Sequence, residues 1–112
     1  MTRSEHPSGT DRIAEAAERH RDAAVVVNVQ GDEPLVDPKA IDAAIETLLD
    51  DPEAAMSTAR RRLYDRREIE DPNVVKVVTD LRGRALYFSR LPIPCVRDEA
   101  DRDRAAYWQH IG

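Results

Sequence analysis

The sequence contains a single cysteine, Cys95, so no disulfide can close within the chain and nothing points to an oxidising compartment. Cys95 reads as an ordinary reduced thiol. Glycine is scarce, with four in 112 residues, and none falls in a cluster of the kind that cradles a phosphate. No stretch approaches the roughly 18 consecutive apolar residues that span a bilayer. The N-terminal region lacks the hydrophobic middle of a signal peptide. Together these absences place the chain in the cytoplasm and away from the membrane. Positive charge is not in excess either: 17 Lys and Arg against 22 Asp and Glu give a formal net charge of -5. That balance argues against nucleic acid or an anionic membrane as the principal partner and leaves small anionic substrates within reach of local arginines. A chain of 112 residues has room for one compact domain with a modest core.

The residues that are present spell an alternation of helix and strand. From Asp11, the residues Ile13, Ala16 and Ala17 recur at helical spacing among charged neighbours, which predicts an amphipathic helix running to about Arg21 with Thr10 as its cap. Residues 24–29 are a continuous valine-rich run, the composition of a strand buried on both faces of a parallel sheet. Asp37 before Pro38 is a good helix start, and Ile41, Ala44, Ile45 and Leu48 continue one apolar face. Residues 54–59 fit another buried strand, followed by a strongly basic surface segment at 60–67. Residues 74–79 and 85–89 are β-prone runs around Asp80-Leu81-Arg82-Gly83-Arg84, an antiparallel hairpin in which Gly83 supplies a positive φ. A short helix is expected over 101–109. The order predicts an α/β fold with a mixed sheet.

Two segments could carry chemistry. The run 24–29 leads into Gln30-Gly31-Asp32-Glu33-Pro34, and in open α/β sheets ligands bind outside the carboxyl ends of the strands. An aspartate there suits a hard cation such as Mg²⁺, which takes one or two carboxylates together with substrate phosphate oxygens and water. An ordinary turn at Gly31 and Pro34 with solvated acids fits the same residues. The second segment is His6-Pro7-Ser8-Gly9-Thr10-Asp11-Arg12, where a turn opening a helix offers free N–H groups, two hydroxyls and a close approach at Gly9. It suits a nucleobase edge, a ribose or a phosphate, and it also suits a plain helix cap.

Taken in order with Asn73-Val74-Val75-Lys76-Val77-Val78, Ala85-Leu86-Tyr87-Phe88-Ser89-Arg90, Ile93-Pro94 and His110-Ile111-Gly112, the chain resembles the 3-deoxy-manno-octulosonate cytidylyltransferases, or CMP-Kdo synthetases. The resemblance covers nearly the whole chain. It implies a partial Rossmann-like nucleotidyltransferase fold with a mixed sheet and a β-hairpin extension. The reaction it implies is attack by the anomeric hydroxyl of Kdo on the α-phosphorus of CTP, giving CMP-Kdo and pyrophosphate for lipopolysaccharide assembly with Mg²⁺ as cofactor. By the same resemblance Asp32 is a Mg²⁺ ligand and catalytic, Gln30, Arg90 and His110 meet the sugar, and Ser8, Gly9, Thr10 and Arg12 form the nucleotide turn. A guanidinium at position 90 is chemically suited to a carboxylate, which it can hold through two parallel hydrogen bonds. Arg12 also reads as a surface helix arginine.

The resemblance further implies a homodimer built largely from the hairpin region. Tyr87 and Phe88 are read as core or interface and Lys76 as an exposed strand lysine. The arginines at 60–62 and 66–67, and the acids Asp98, Glu99, Asp101 and Asp103, are read as solvated. Family members also carry an N-terminal phosphate loop and a later metal-binding aspartate that residues 1–112 do not match. The sequence is therefore expected to be the central fragment of one cytidylyltransferase domain, cut at both ends, inactive alone, and with the valines at 25–29 exposed. Two alternatives stand beside this: a non-catalytic dimerisation module that associates with a full-length copy, and a cytidylyltransferase for another acidic sugar such as a sialic acid.

Overall fold

A computed structural model of the chain describes residue 2, residues 5–31 and residues 36–112. The chain divides into two compact units, Met1–Ala55 and Met56–Gly112.

The first unit carries two helices. Helix α1, Gly9–Ala17, is capped by Ser8 rather than Thr10. Ser8 is extended, at φ -145 and ψ 165, so its hydroxyl can reach forward and accept from the Asp11 N–H at 3.2 Å. The helix also ends before Arg21. Its backbone tightens at Arg19 and His20, whose N–H groups donate to Ala16 and Ala17 three residues back, because residues 18–22 supply no apolar side chain to continue the half-buried face. Residues 24–29 form no strand. They have no ladder partner among the described residues, and Val26, Val27 and Val29 stand 50%, 46% and 50% exposed. Valine-rich sequence needs a neighbouring strand to become one. Helix α2, Pro38–Asp50, forms as its sequence requires: the Asp37 carboxylate accepts from the Lys39 N–H at 2.9 Å, and Ala40, Ile41, Ala44, Ile45 and Leu48 are its half-buried positions.

The second unit is a sheet. Its strands are β1, Ala59–Leu63, β2, Lys76–Thr79, β3, Ala85–Ser89, and β4, Tyr107–Ile111, in the order β1-β4-β2-β3 with every pairing antiparallel. The mixed sheet expected from the sequence depended on the strand at 24–29, and without it the described sheet has no parallel pair. Strand β1 starts where the strand predicted at 54–59 was to end, so Arg60, Arg61 and Arg62 lie within it. A short helix, α3, Arg66–Glu70, follows under an Asp65 cap.

The hairpin forms where predicted. Gly83 takes φ 85, and the Asp80 carboxylate accepts from the N–H groups of Arg82 and Arg84 at 2.8 and 2.9 Å. The helix predicted over 101–109 is replaced by a 3₁₀ turn at Glu99–Arg104 and by β4. Tyr107, Trp108 and Ile111 are aromatic and β-branched, and in a strand their alternation lets Tyr107 face Leu63 in the core while Trp108 turns to the other face. Among the described residues the buried apolar side chains are Leu63 and Tyr107 on one face of the sheet and Val77 on the other. Lys76, expected to be exposed, is 0% exposed in the central strand β2. Among the described residues no helix is long and apolar enough to cross a membrane.

Candidate functional site

In the first unit, the cap that shapes α1 also fixes what its N-terminus can offer. The Ser8 hydroxyl donates to the Asp11 carboxylate at 2.5 Å while accepting from the Asp11 N–H, so this hydroxyl is already engaged within the turn. Gly9 and Thr10 are exposed, and a Cβ at Gly9 would meet nothing within 4 Å. Their N–H groups and the Thr10 hydroxyl have no partner among the described residues, so they remain available at the end of the helix. Arg12 is likewise exposed, with its guanidinium unpaired among the described residues. His6 is held inward by the Glu15 carboxylate at 2.6 Å. Gln30 is exposed, with its amide open to solvent. Asp32, expected to be the metal ligand, lies outside the described residues. Among the described residues no three His, Cys, Asp or Glu side chains are grouped to hold a metal ion.

In the second unit, one sheet face carries His110, one of the residues expected to meet the sugar. Strand alternation puts Arg60, Arg62, Trp108 and His110 on the same face of β1 and β4, and Phe88 reaches that face from β3. The Phe88 and His110 rings meet edge to face at 4.9 Å and 71°. His110 Nε2 lies 3.0 Å from the Thr58 hydroxyl. Arg60 stacks over the Trp108 ring at 4.2 Å and donates to the Thr79 hydroxyl at 2.6 Å. Arg60 and Arg61 are exposed as expected, although Arg61 is paired with Glu68.

Arg90 follows Phe88 by two residues, just past β3. It is exposed, and its Nη1–H donates to the Pro72 carbonyl at 2.9 Å, which anchors one corner of the guanidinium and leaves the rest of the fork for a ligand. Beneath that turn, buried Lys76 donates from Nζ to the carbonyls of Asp71 and Val74 at 2.8 and 2.5 Å. Burial holds its ammonium below the usual lysine range, the Asp71 carboxylate works against that shift, and Arg90 adds to it. Thr58 escapes a reading of the sequence, because an isolated threonine at the edge of a predicted buried strand carries no signal and its partner lies 52 positions away.

Burial pushes the His110 imidazole below its ordinary value of 6.5. The unfolded chain therefore takes up this proton first as the pH falls, and the folded state loses stability below about pH 6.5, with the contribution fully present above it. Urea midpoints measured from pH 7 down toward about pH 5 are expected to fall more steeply for the native chain than for His110→Gln. Parallel profiles would remove His110 as the cause.

The sequence pattern of the cytidylyltransferase family matches residues 1–112. The 3-deoxy-manno-octulosonate cytidylyltransferase of Solibacter usitatus is 56% identical, with 100% of this chain and 43% of that protein aligned. The enzyme of the same name from Syntrophotalea carbinolica is 52% identical over 100% of this chain and 47% of its own length. A solved CMP:2-keto-3-deoxy-manno-octonic acid synthetase, complexed with CTP, superposes on the chain with a TM-score of 0.83 at 38% identity, covering 100% of this chain and 44% of that one. The chain thus spans less than half the length of these relatives, and it shares with them the α/β nucleotidyltransferase fold. By the match over all its residues, this chain belongs to the cytidylyltransferase family.

Proposed function

We propose that residues 1–112 are the central part of a longer cytidylyltransferase domain whose enzyme transfers CMP from CTP to Kdo, releasing pyrophosphate and supplying CMP-Kdo for lipopolysaccharide. The reading is supported most by the superposition of the entire chain on a synthetase of this type complexed with CTP. In the reaction the anomeric oxygen of Kdo forms a bond to the α-phosphorus, the hydroxyl gives up its proton, and the bond from that phosphorus to the β-phosphate oxygen breaks. Pyrophosphate leaves with the electron pair.

Each residue has a task that its local chemistry supports. Gly9 and Thr10 present free N–H groups and one hydroxyl at the start of α1. Because the Asp11 carboxylate sits on Ser8, this end suits the uncharged edge of cytidine better than a phosphate. Arg12 stands one turn on, beside the nucleotide. Gln30 offers an amide that can both donate to and accept from sugar hydroxyls. Arg90, anchored at Pro72, holds the sugar carboxylate with its remaining N–H groups, and His110 accepts a sugar hydroxyl. The donor set at Asp32 is one carboxylate, which fits a Mg²⁺ ion held mainly by nucleotide phosphates and water. When bound, that ion neutralises charge that develops on the leaving pyrophosphate.

The enzyme works in the cytoplasm on small molecules, with neither nucleic acid nor membrane as partner, and pairs as a homodimer. The support for pairing is edge strand β3, which leaves Leu86, Tyr87 and Phe88 exposed beside Leu91.

The test is the full-length protein supplied with CTP and either Kdo or a sialic acid, with the product identified by mass. CMP-Kdo is the expected product, and a clear preference for sialic acid would overturn the substrate assignment. In the same assay Arg90→Lys is expected to raise the half-saturating Kdo concentration about 10-fold or more and to leave that of CTP unchanged, because one ammonium cannot hold Pro72 and grip a carboxylate at two points. Equal changes for both substrates would remove Arg90 from the sugar site.

A further inference from the structure

The Thr58 hydroxyl has one proton and two close neighbours. It lies 2.8 Å from the Ile111 carbonyl and 3.0 Å from His110 Nε2. A carbonyl oxygen can only accept, so the hydroxyl proton is directed to Ile111 and the oxygen is left to accept. His110 Nε2 must then carry the proton of that second bond. The imidazole is flanked by the Phe88 ring, set edge to face with it, and by the bare backbone of Gly112. A Cβ at Gly112 would come within 2.9 Å of both Cε1 and Nε2 and 3.3 Å of the Thr58 hydroxyl. Nδ1 has no protein partner among the described residues. Burial favours the neutral ring that a free lone pair requires.

We infer that Thr58 is a positioning residue that holds His110 as its Nε2–H tautomer, so that Nδ1 is the ring atom presented to accept a hydroxyl from the substrate. The tautomer stands on the geometry alone. That the hydroxyl belongs to an acidic sugar rests on the function proposed above. Gly112 serves the same end by leaving room for the ring between the backbone and Thr58.

The test is ¹⁵N NMR of the imidazole in the uniformly labelled chain at a pH where His110 is neutral. The native protein and Thr58→Ser are expected to show the Nε2–H form alone. Thr58→Val, which keeps the shape and loses the acceptor, is expected to drift to the tautomer mixture of a free imidazole. Gly112→Ala, which keeps the hydroxyl and displaces the ring, is expected to do the same. An Nδ1–H form in the native protein overturns the inference even if neither variant folds, and so does a pure Nε2–H form in both folded variants. In the full-length protein, Thr58→Val is expected to raise KM for the sugar several-fold, with kcat nearly unchanged and Thr58→Ser restoring it. A confirmed tautomer with an unchanged sugar KM would leave the positioning intact and refute the sugar contact at His110.

Discussion

Replacing Asp32 with asparagine in the full-length protein is expected to lower kcat about 1,000-fold or more, which corresponds to roughly 4 kcal/mol of transition-state stabilisation. Asparagine keeps the size and the hydrogen-bonding oxygen of aspartate and removes only its charge. A loss of this size therefore reads the charge rather than the fold of the turn. The expectation follows from the position of Asp32 in Gln30-Gly31-Asp32-Glu33-Pro34 and from the need of a triphosphate reaction for a divalent cation held by at least one anionic oxygen. The competing reading makes Gly31 and Pro34 a plain turn with solvated acids. On that reading Asp32→Asn behaves like any surface change and activity stays within about 2-fold. A companion measurement separates binding from chemistry. Mg²⁺ is expected to strengthen CTP binding to the native protein and to do so far less for the variant. Activity within about 10-fold of native, with Mg²⁺-dependent CTP binding intact, would remove Asp32 from the metal site.

Much of the fold was legible wherever local chemistry decides conformation. Asp37 and Pro38 start α2 because a carboxylate cap and a fixed φ act within one turn, and the hairpin is set by Asp80 and Gly83 in the same local way. The errors lie where a distant partner decides. Residues 24–29 have strand composition, but composition supplies no neighbour, and their valines stay open as the sequence argument expected for a strand without one. Residues 107–111 end a charged run that reads as helix, and they become β4 because β1 and β2 offer edges on both sides. The candidate site divides the same way. Arg90 is singled out by the family resemblance, with which the fit between a guanidinium and a carboxylate agrees. The anchoring of Arg90 at Pro72 and the Thr58 contact of His110 exist only after the sheet has formed.

Lys76 shows most clearly what an unseen strand conceals, and Lys76→Met is expected to destabilise the chain by about 2–4 kcal/mol in urea denaturation. Read as a strand on its own, 74–79 gives no reason to bury a lysine. With β4 in place, Lys76 pairs with Gln109 on one side and Ser89 on the other, and its side chain is sealed off completely. Its ammonium then meets the carbonyls of Asp71, which caps α3, and Val74, while Arg90 takes the carbonyl of Pro72 between them. Two cationic side chains thus clamp one turn. Methionine keeps the length and apolar stem but leaves two carbonyls without their donor, and each charge-assisted bond lost is worth about 1.5–3 kcal/mol. Relief of the cost of burying an ammonium, visible in the lowered Lys76 pKa, offsets part of this and keeps the net below the sum. Because the same turn anchors Arg90, the variant is also expected to weaken sugar binding in the full-length protein when assayed where it remains folded. Stability equal to or above the native value would mean that desolvation outweighs the two bonds. Unchanged sugar binding alongside the expected loss of stability would mean that Arg90 holds its position without the turn.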